Sequence, residues 1–191
     1  MANVGAGLRP AQPSHRKAQR LPQYDYASAG AYFVTVCVKD RLPILGTMVG
    51  SEVRLTRAGE LITEVWNDLP QHYDFIELDE FIVMPNHVHG IVWISSNEPT
   101  DDSVGAGLRP AQSVREGLRP SPTKKPPGLS EIVRSFKSFS AREIHKANQT
   151  TGSFWQRGFY EHIIRNDDDL YQHRAYVRNN SLKWALDEYY S

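Results

Sequence analysis

The chain has 191 residues, 40% of them hydrophobic and 23% charged, and no apolar run comes near the ~20 residues a membrane-spanning helix needs. Its one cysteine, Cys37, excludes an internal disulfide, and a mean hydropathy of −0.51 with a polar start in place of a secretory apolar region points to a soluble, cytoplasmic, single-domain protein without a membrane partner. Lys plus Arg and Asp plus Glu both number 22, which argues against indiscriminate nucleic-acid binding.

The cations are nonetheless segregated. Residues 1–20 carry Arg9, Arg16, Lys17 and Arg20 without an acid, and residues 103–148 carry nine basic side chains against three glutamates. Two basic zones on an acidic body suit contact with phosphate, or a solvated tail and face.

Residues 1–23 are polar and contain Pro10, Pro13 and Pro22, so they read as a disordered basic arm ahead of a domain over 24–191. Ala31 to Val38 is rich in β-branched and aromatic residues, which suits a mostly buried strand. Leu55, Leu61, Ile62, Val65, Trp66 and Leu69 recur at helical spacing up to Pro70, where the helix is expected to end. Phe75–Met84 and Val88–Ile94 flank the turn dipeptide Pro85-Asn86 and predict a hairpin.

Residues 95–127 show no periodicity and read as a flexible insertion loop. Ser130 is placed to cap a second helix that runs to about Lys146, with Ile132, Val133, Phe136, Phe139 and Ile144 on its apolar stripe. Phe154–Gln156 and Phe159–Ile164 are short strand-like pieces. Asn166 before three aspartates is a helix start, since cap and charge both complement the exposed amides. The order β-α-β-β-α-β plus a terminal helix predicts an α+β, ferredoxin-like split βαβ sheet, with helices on one face and an extra C-terminal helix.

His87-Val88-His89 puts two imidazoles on one face of a strand, within reach of one metal, although such a pair also occurs as an incidental feature. Tyr176 and Asn180 lie one helical turn apart; the former is a potential nucleophile or a core residue at the rim, the latter a potential metal ligand or a helix cap. His162 is a third imidazole that could join a metal or contact DNA. Tyr160 is a rival nucleophile, and Cys37 reads as an inert buried strand residue.

Phe33-Val34-Thr35-Val36, Val83-Met84-Pro85-Asn86-His87-Val88-His89, Phe154 through Asn166, and Tyr176-Val177-x-x-Asn180 together resemble the REP-associated tyrosine transposases, a branch of the HUH single-strand DNA nucleases. The likeness runs from about Tyr24 to Tyr190 in the family's order. It implies a divalent metal, Mg²⁺ or Mn²⁺, held by His87, His89 and Asn180, with Tyr176 on the extra helix attacking a scissile phosphate. The products would be a 5′-phosphotyrosine and a free 3′-hydroxyl, as in DNA transposition. Where the family often has proline after that asparagine, this chain has Ser181.

The partner implied is single-stranded or hairpin DNA of the repetitive extragenic palindrome type. Lys124, Lys125, Arg134, Lys137, Arg142 and Arg157 are candidates for its phosphates, and Trp155 for stacking on a base, unless that ring belongs to the core. Relatives act as monomers or homodimers, and the sequence does not choose between them. A non-cleaving binder of structured nucleic acid, or a phosphodiesterase that uses water, are the competing readings.

A repeat stands outside this pattern. Val4-Gly5-Ala6-Gly7-Leu8-Arg9-Pro10-Ala11-Gln12 recurs unchanged at 104–112, and Gly117-Leu118-Arg119-Pro120 is a third fragment. Ala6 to Ala11 can be encoded GCA GGC CTG CGG CCT GCC, in which GCAGGC is the reverse complement of GCCTGC. The peptides thus read as translated hairpins, or as a duplicated DNA-binding segment.

Overall fold

The computed structural model describes residues 28–95 and 128–186. The basic arm, the insertion loop beyond Ser95, Lys124 and Lys125 lie outside them. The elements are β1 (Gly30–Cys37), a 3-10 turn (Lys39–Arg41), β2 (Gly46–Val49), β3 (Glu52–Leu55), α1 (Arg57–His72), β4 (Ile76–Val83), β5 (His87–Ile94), α2 (Leu129–Asn148), β6 (Tyr160–Ile164), α3 (Asp167–Asn179) and a second 3-10 segment (Ser181–Leu186).

The main sheet has strand order β4-β5-β1-β6 and is antiparallel throughout. That is the expected split βαβ order, with each crossover helix returning the chain past one intervening strand. Alternation along β1 separates two faces. Tyr32, Val34 and Val36 join Val88, Val92, the α1 residues Ile62, Trp66 and Leu69, and the α2 residues Ile132, Val133 and Phe136 in the larger core. Ala31 and Phe33 join Ile91, Ile164 and the α3 residues Leu170 and Val177 in a smaller one on the opposite face. Helices α1 and α2 therefore cover one face, and α3 alone covers the other.

Gly90 sits where α1 crosses β5. A Cβ there would lie 2.5 Å from the Trp66 ring, so only glycine lets Trp66 lie against the strand, stacked on Phe81 at 4.5 Å.

Three expectations need correcting. Leu55 ends β3 and does not open α1; Thr56 caps that helix, its hydroxyl accepting from the Gly59 amide at 3.3 Å. Helix α1 runs past Pro70 to His72, because the Tyr73 amide still closes on the Leu69 carbonyl at 3.1 Å after proline has removed one bond. Ser130 does not cap α2: Gly128 holds the cap position and makes no side-chain bond. The β2–β3 hairpin was not anticipated, although Gly50 at φ +64° next to Ser51 is the turn signal for it.

Candidate active site

Two strands and one helix assemble the site. Thr35 of β1 lies opposite His89 of β5, and Cys37 opposite His87, so the histidines share the α3 face with Phe33 and Thr35. The Pro85–Asn86 turn is fixed by its own carbonyls, which accept from the Leu45 and Val38 amides at 2.9 and 2.8 Å. This anchors His87 at the first position of β5.

Both imidazoles are buried, and each is oriented by a polar partner. His87 Nδ1 faces Asn86 Oδ1 at 2.8 Å, His89 Nδ1 faces Thr35 Oγ1 at 2.8 Å, and the two Nε2 atoms meet at 2.8 Å. An amide oxygen can only accept, so Asn86 holds the proton of His87 on Nδ1 and turns its Nε2 lone pair toward His89. His89 Nε2 then carries the proton of that 2.8 Å contact, and the Thr35 hydroxyl donates to His89 Nδ1. Burial, reinforced by the charge of Arg41, pushes His87 down to about 3, which keeps its ring neutral in the form a metal requires.

Helix α3 brings the rest. Asn166 caps it by accepting from the Asp169 amide at 2.9 Å, and Asn180 closes it, its amide bonding the Val177 carbonyl at 3.3 Å. The Tyr176 hydroxyl lies 3.5 Å from His89 Nε2, with the rings 5.1 Å apart and tilted 68°. Tyr176 is 40% exposed and Asn180 2% exposed. The phenol thus stands at the surface above two buried histidines, His87 being stacked against Trp184 at 5.8 Å, with Asn180 buried one turn farther along. Two imidazole nitrogens 2.8 Å apart, with their far sides anchored, are of the donor type that suits a divalent cation.

The helix is held on both sides. Toward β4, Arg174 grips Asp79 through Nε to Oδ1 at 3.0 Å and Nη2 to Oδ2 at 2.6 Å, and Trp93 Nε1 donates to Asp79 Oδ2 at 3.0 Å. Arg178 reaches Glu80 at 2.8 Å. A bulge makes this possible: β4 advances from Leu78 to Phe81 while β5 moves only from Val92 to Gly90, and the extra residue re-aims Asp79 and Glu80. Burial alone would raise the Asp79 carboxyl, but the Arg174 and Trp93 bonds outweigh it and hold it below its usual value.

Toward β6, Asp169 accepts from His162 Nε2 at 2.9 Å and pairs with His173 Nδ1 at 3.0 Å, with the imidazoles stacked at 4.4 Å. His162 therefore does not converge with His87 and His89. It belongs to a second His162–Asp169–His173 cluster, separated from His89 by the Phe33 ring, which lies 4.9 Å from His173 and 5.3 Å from His89. Tyr160 is 43% exposed on β6, and its ring packs edge-on to Phe33 at 6.3 Å.

The expected DNA-contacting residues divide. Trp155 is 5% exposed and its Nε1 donates to Ser140 Oγ at 3.0 Å, so its ring is core and presents no face to a base. Lys137 is tied to the Gln156 and Gly158 carbonyls at 2.8 Å each, and burial lowers its ammonium from its ordinary value. Arg134, Arg142 and Arg157 are exposed. Arg134 and Lys137 line a cleft of about 500 Å³ with Phe159 at the start of α2, the helix that packs on the face opposite α3. Cys37 is half-buried at the end of β1. Among residues given no role by the sequence, Asn86, Thr35, Asp79 and Arg174 matter most; Asn86 and Thr35 fall within the motifs that carry the resemblance, and Asp79 and Arg174 have no local signal.

No family model matches the chain. A Haemophilus influenzae protein described as "Uncharacterized protein" is 32% identical over 176 residues, spanning 92% of this chain and 93% of that one. A second protein of that organism, named "Putative REP-associated tyrosine transposase", is 26% identical over 86% of this chain and 77% of that one. The solved structure of a REP-associated tyrosine transposase bound to a REP hairpin superposes with a TM-score of 0.50 at 21% identity, covering 81% of this chain and 67% of that chain.

Proposed function

We propose that the chain is a REP-associated tyrosine transposase, a reading supported by its 26% identity to the protein so named and by the fold it shares with the hairpin-bound structure, and that it cuts and rejoins single-stranded, hairpin-bearing DNA through a covalent bond to Tyr176. The observation that carries this reading is the 3.5 Å approach of a half-exposed phenol to His89 Nε2, itself 2.8 Å from His87 Nε2.

His87, His89 and Asn180 would hold a divalent cation, Mg²⁺ or Mn²⁺, which supplies Lewis-acid polarisation of the scissile phosphate when bound. The protein's own groups do the rest. Asn86 and Thr35 hold both rings in place, so a phosphate entering over them meets a site already assembled. The Tyr176 oxygen attacks phosphorus; its bond to phosphorus forms as the bond to the 3′-oxygen breaks. The phenol loses its proton and the departing 3′-oxygen gains one. The products are a 5′-phosphotyrosine and a free 3′-hydroxyl, and attack by a 3′-hydroxyl on that linkage reverses the step or joins a new strand.

Arg134, Arg142 and Arg157 supply exposed cations for the backbone of the remaining DNA, together with Lys124 and Lys125.

The test is a denaturing gel of a labelled single-stranded hairpin oligonucleotide with purified protein and Mn²⁺ or Mg²⁺. A covalent protein–DNA band should form with wild type and Tyr160→Phe and vanish with Tyr176→Phe. An adduct that survives in Tyr176→Phe, or cleavage without any adduct, overturns the assignment.

A further inference from the structure

The nine-residue repeat carries more pairing than its alanines show. Gly5 to Gln12 can be written GGG GCA GGC CTG CGG CCT GCC CAG, which contains GGGCAGGCC, then TGC, then GGCCTGCCC: a nine-pair stem closed by three nucleotides. Five of those pairs are dictated by the amino acids alone. The second base of Gly5 pairs with the first of Gln12; the first and second of Ala6 with the second and first of Ala11; the first and second of Gly7 with the second and first of Pro10. A sixth, the first base of Leu8 with the second of Arg9, holds for the CTN codons. Only three pairs depend on third positions.

A peptide selected for its side chains has no reason to make its codons self-complementary. The positions are equally telling. One copy precedes β1 and the other falls between β5 and α2. Every described ladder pair up to Ile94, and the α2 core from the buried Leu129 onward, is complete on either side of it. An in-frame insertion there costs the fold none of its strand pairing.

We infer that the two VGAGLRPAQ segments are translated copies of a DNA hairpin, d(GGGCAGGCCTGCGGCCTGCCC) or a close relative, and that this hairpin is the element the protein recognises. The inference rests on the proposed transferase for what happens to the DNA, but binding can be read without cleavage. The paired arm gives the protein a rigid handle, and the unpaired flank can reach the exposed Tyr176 hydroxyl.

Two measurements test it. Nucleotide sequencing of the two coding stretches should show the three third-position pairs complementary and the copies identical at synonymous sites; synonymous codons that break the stem in both copies overturn it. Binding by the full-length protein is then compared, by fluorescence anisotropy, for three strands with the same single-stranded flanks. These are the hairpin above, the strand with one arm replaced so that it cannot pair, and a hairpin of equal length with an unrelated stem. The element should bind tighter than both controls by about tenfold or more. Equal affinity for the two hairpins overturns the assignment. A Tyr176 adduct on the unrelated hairpin, with no preference for the element, would sink this inference and leave the transferase standing; tight binding of the element without an adduct would do the reverse.

Discussion

Replacing Asp79 by alanine removes the acceptor that ties α3 to the bulge of β4. The Asp79 side chain is 9% exposed and Arg174 32%, so the pair sits between the exposed ion pairs that contribute about 0.2–1 kcal/mol and buried pairs whose one-sided removal costs about 3–5 kcal/mol. Asp79 accepts from both Arg174 and Trp93, and the variant leaves both donors without it; a loss of about 2–3 kcal/mol is expected, since hydrogen bonds to charged groups contribute about 1.5–3 kcal/mol. Urea unfolding of wild type, Asp79→Ala, Arg174→Ala and the double variant isolates the coupling, expected to exceed about 1 kcal/mol. Because the folded carboxyl lies below its usual value, this contribution is present above the unfolded pKa of about 3.9 and is lost as pH falls through the folded value. The same variants should slow adduct formation by Tyr176 more than they weaken Mn²⁺ binding, because two of the three proposed ligands, His87 and His89, are on the sheet, whereas the phenol is on the helix with Asn180. A coupling near zero, or equal loss of metal and adduct, would refute the view that this pair positions the nucleophile.

The His87 imidazole, lowered to about 3 by burial, makes the metal-free protein acid-sensitive: the unfolded chain takes up a proton below about pH 6.5 that the folded one refuses. Stability should then fall by about 1.4 kcal/mol per pH unit toward pH 3, and His87→Gln should flatten that slope in urea midpoints. Isothermal titration with Mn²⁺ should show binding abolished by His89→Ala and retained in His162→Ala and His173→Ala; the opposite pattern would move the metal to the β6 cluster. Gly90→Ala drives a methyl into Trp66 and should cost about 1–3 kcal/mol, read as a lower Tm with altered tryptophan fluorescence. Asn166→Ala removes the α3 cap and should cost about 1 kcal/mol.

Much of the fold was legible because its signals are local. The β-branched run of β1, the Pro85-Asn86 turn and the Asn166 cap each determine structure within a few residues. His87, His89, Tyr176 and Asn180 were legible as a set through the resemblance, and the first two also through strand alternation. What stayed hidden depends on contacts between distant segments. Nothing local tells that Thr35 meets His89 across 54 residues, that Arg174 finds Asp79 across 95, or that His162 turns toward Asp169 and not toward the other histidines. Trp155 shows the same limit: an aromatic beside Arg157 looks like a base platform until α2 places Ser140 over its indole nitrogen.

The unequal cores have a consequence for how the proposed activity can be silenced. Of α3, Leu170 and Val177 enter the smaller apolar cluster, worth roughly 1.5–3 kcal/mol each at full burial; the remaining attachment combines the ring contacts of His173 and Tyr176 with Phe33 and the ion pairs of Arg174 and Arg178 with β4. Ions at high concentration weaken those ion pairs while leaving the larger core untouched. Amide exchange should therefore open α3 well before β1 and β5. On the proposed reading Tyr176 would then leave its post, taking Asn180 with it, while His87 and His89 stay assembled on the sheet, and dilution should restore the arrangement with no refolding of the sheet.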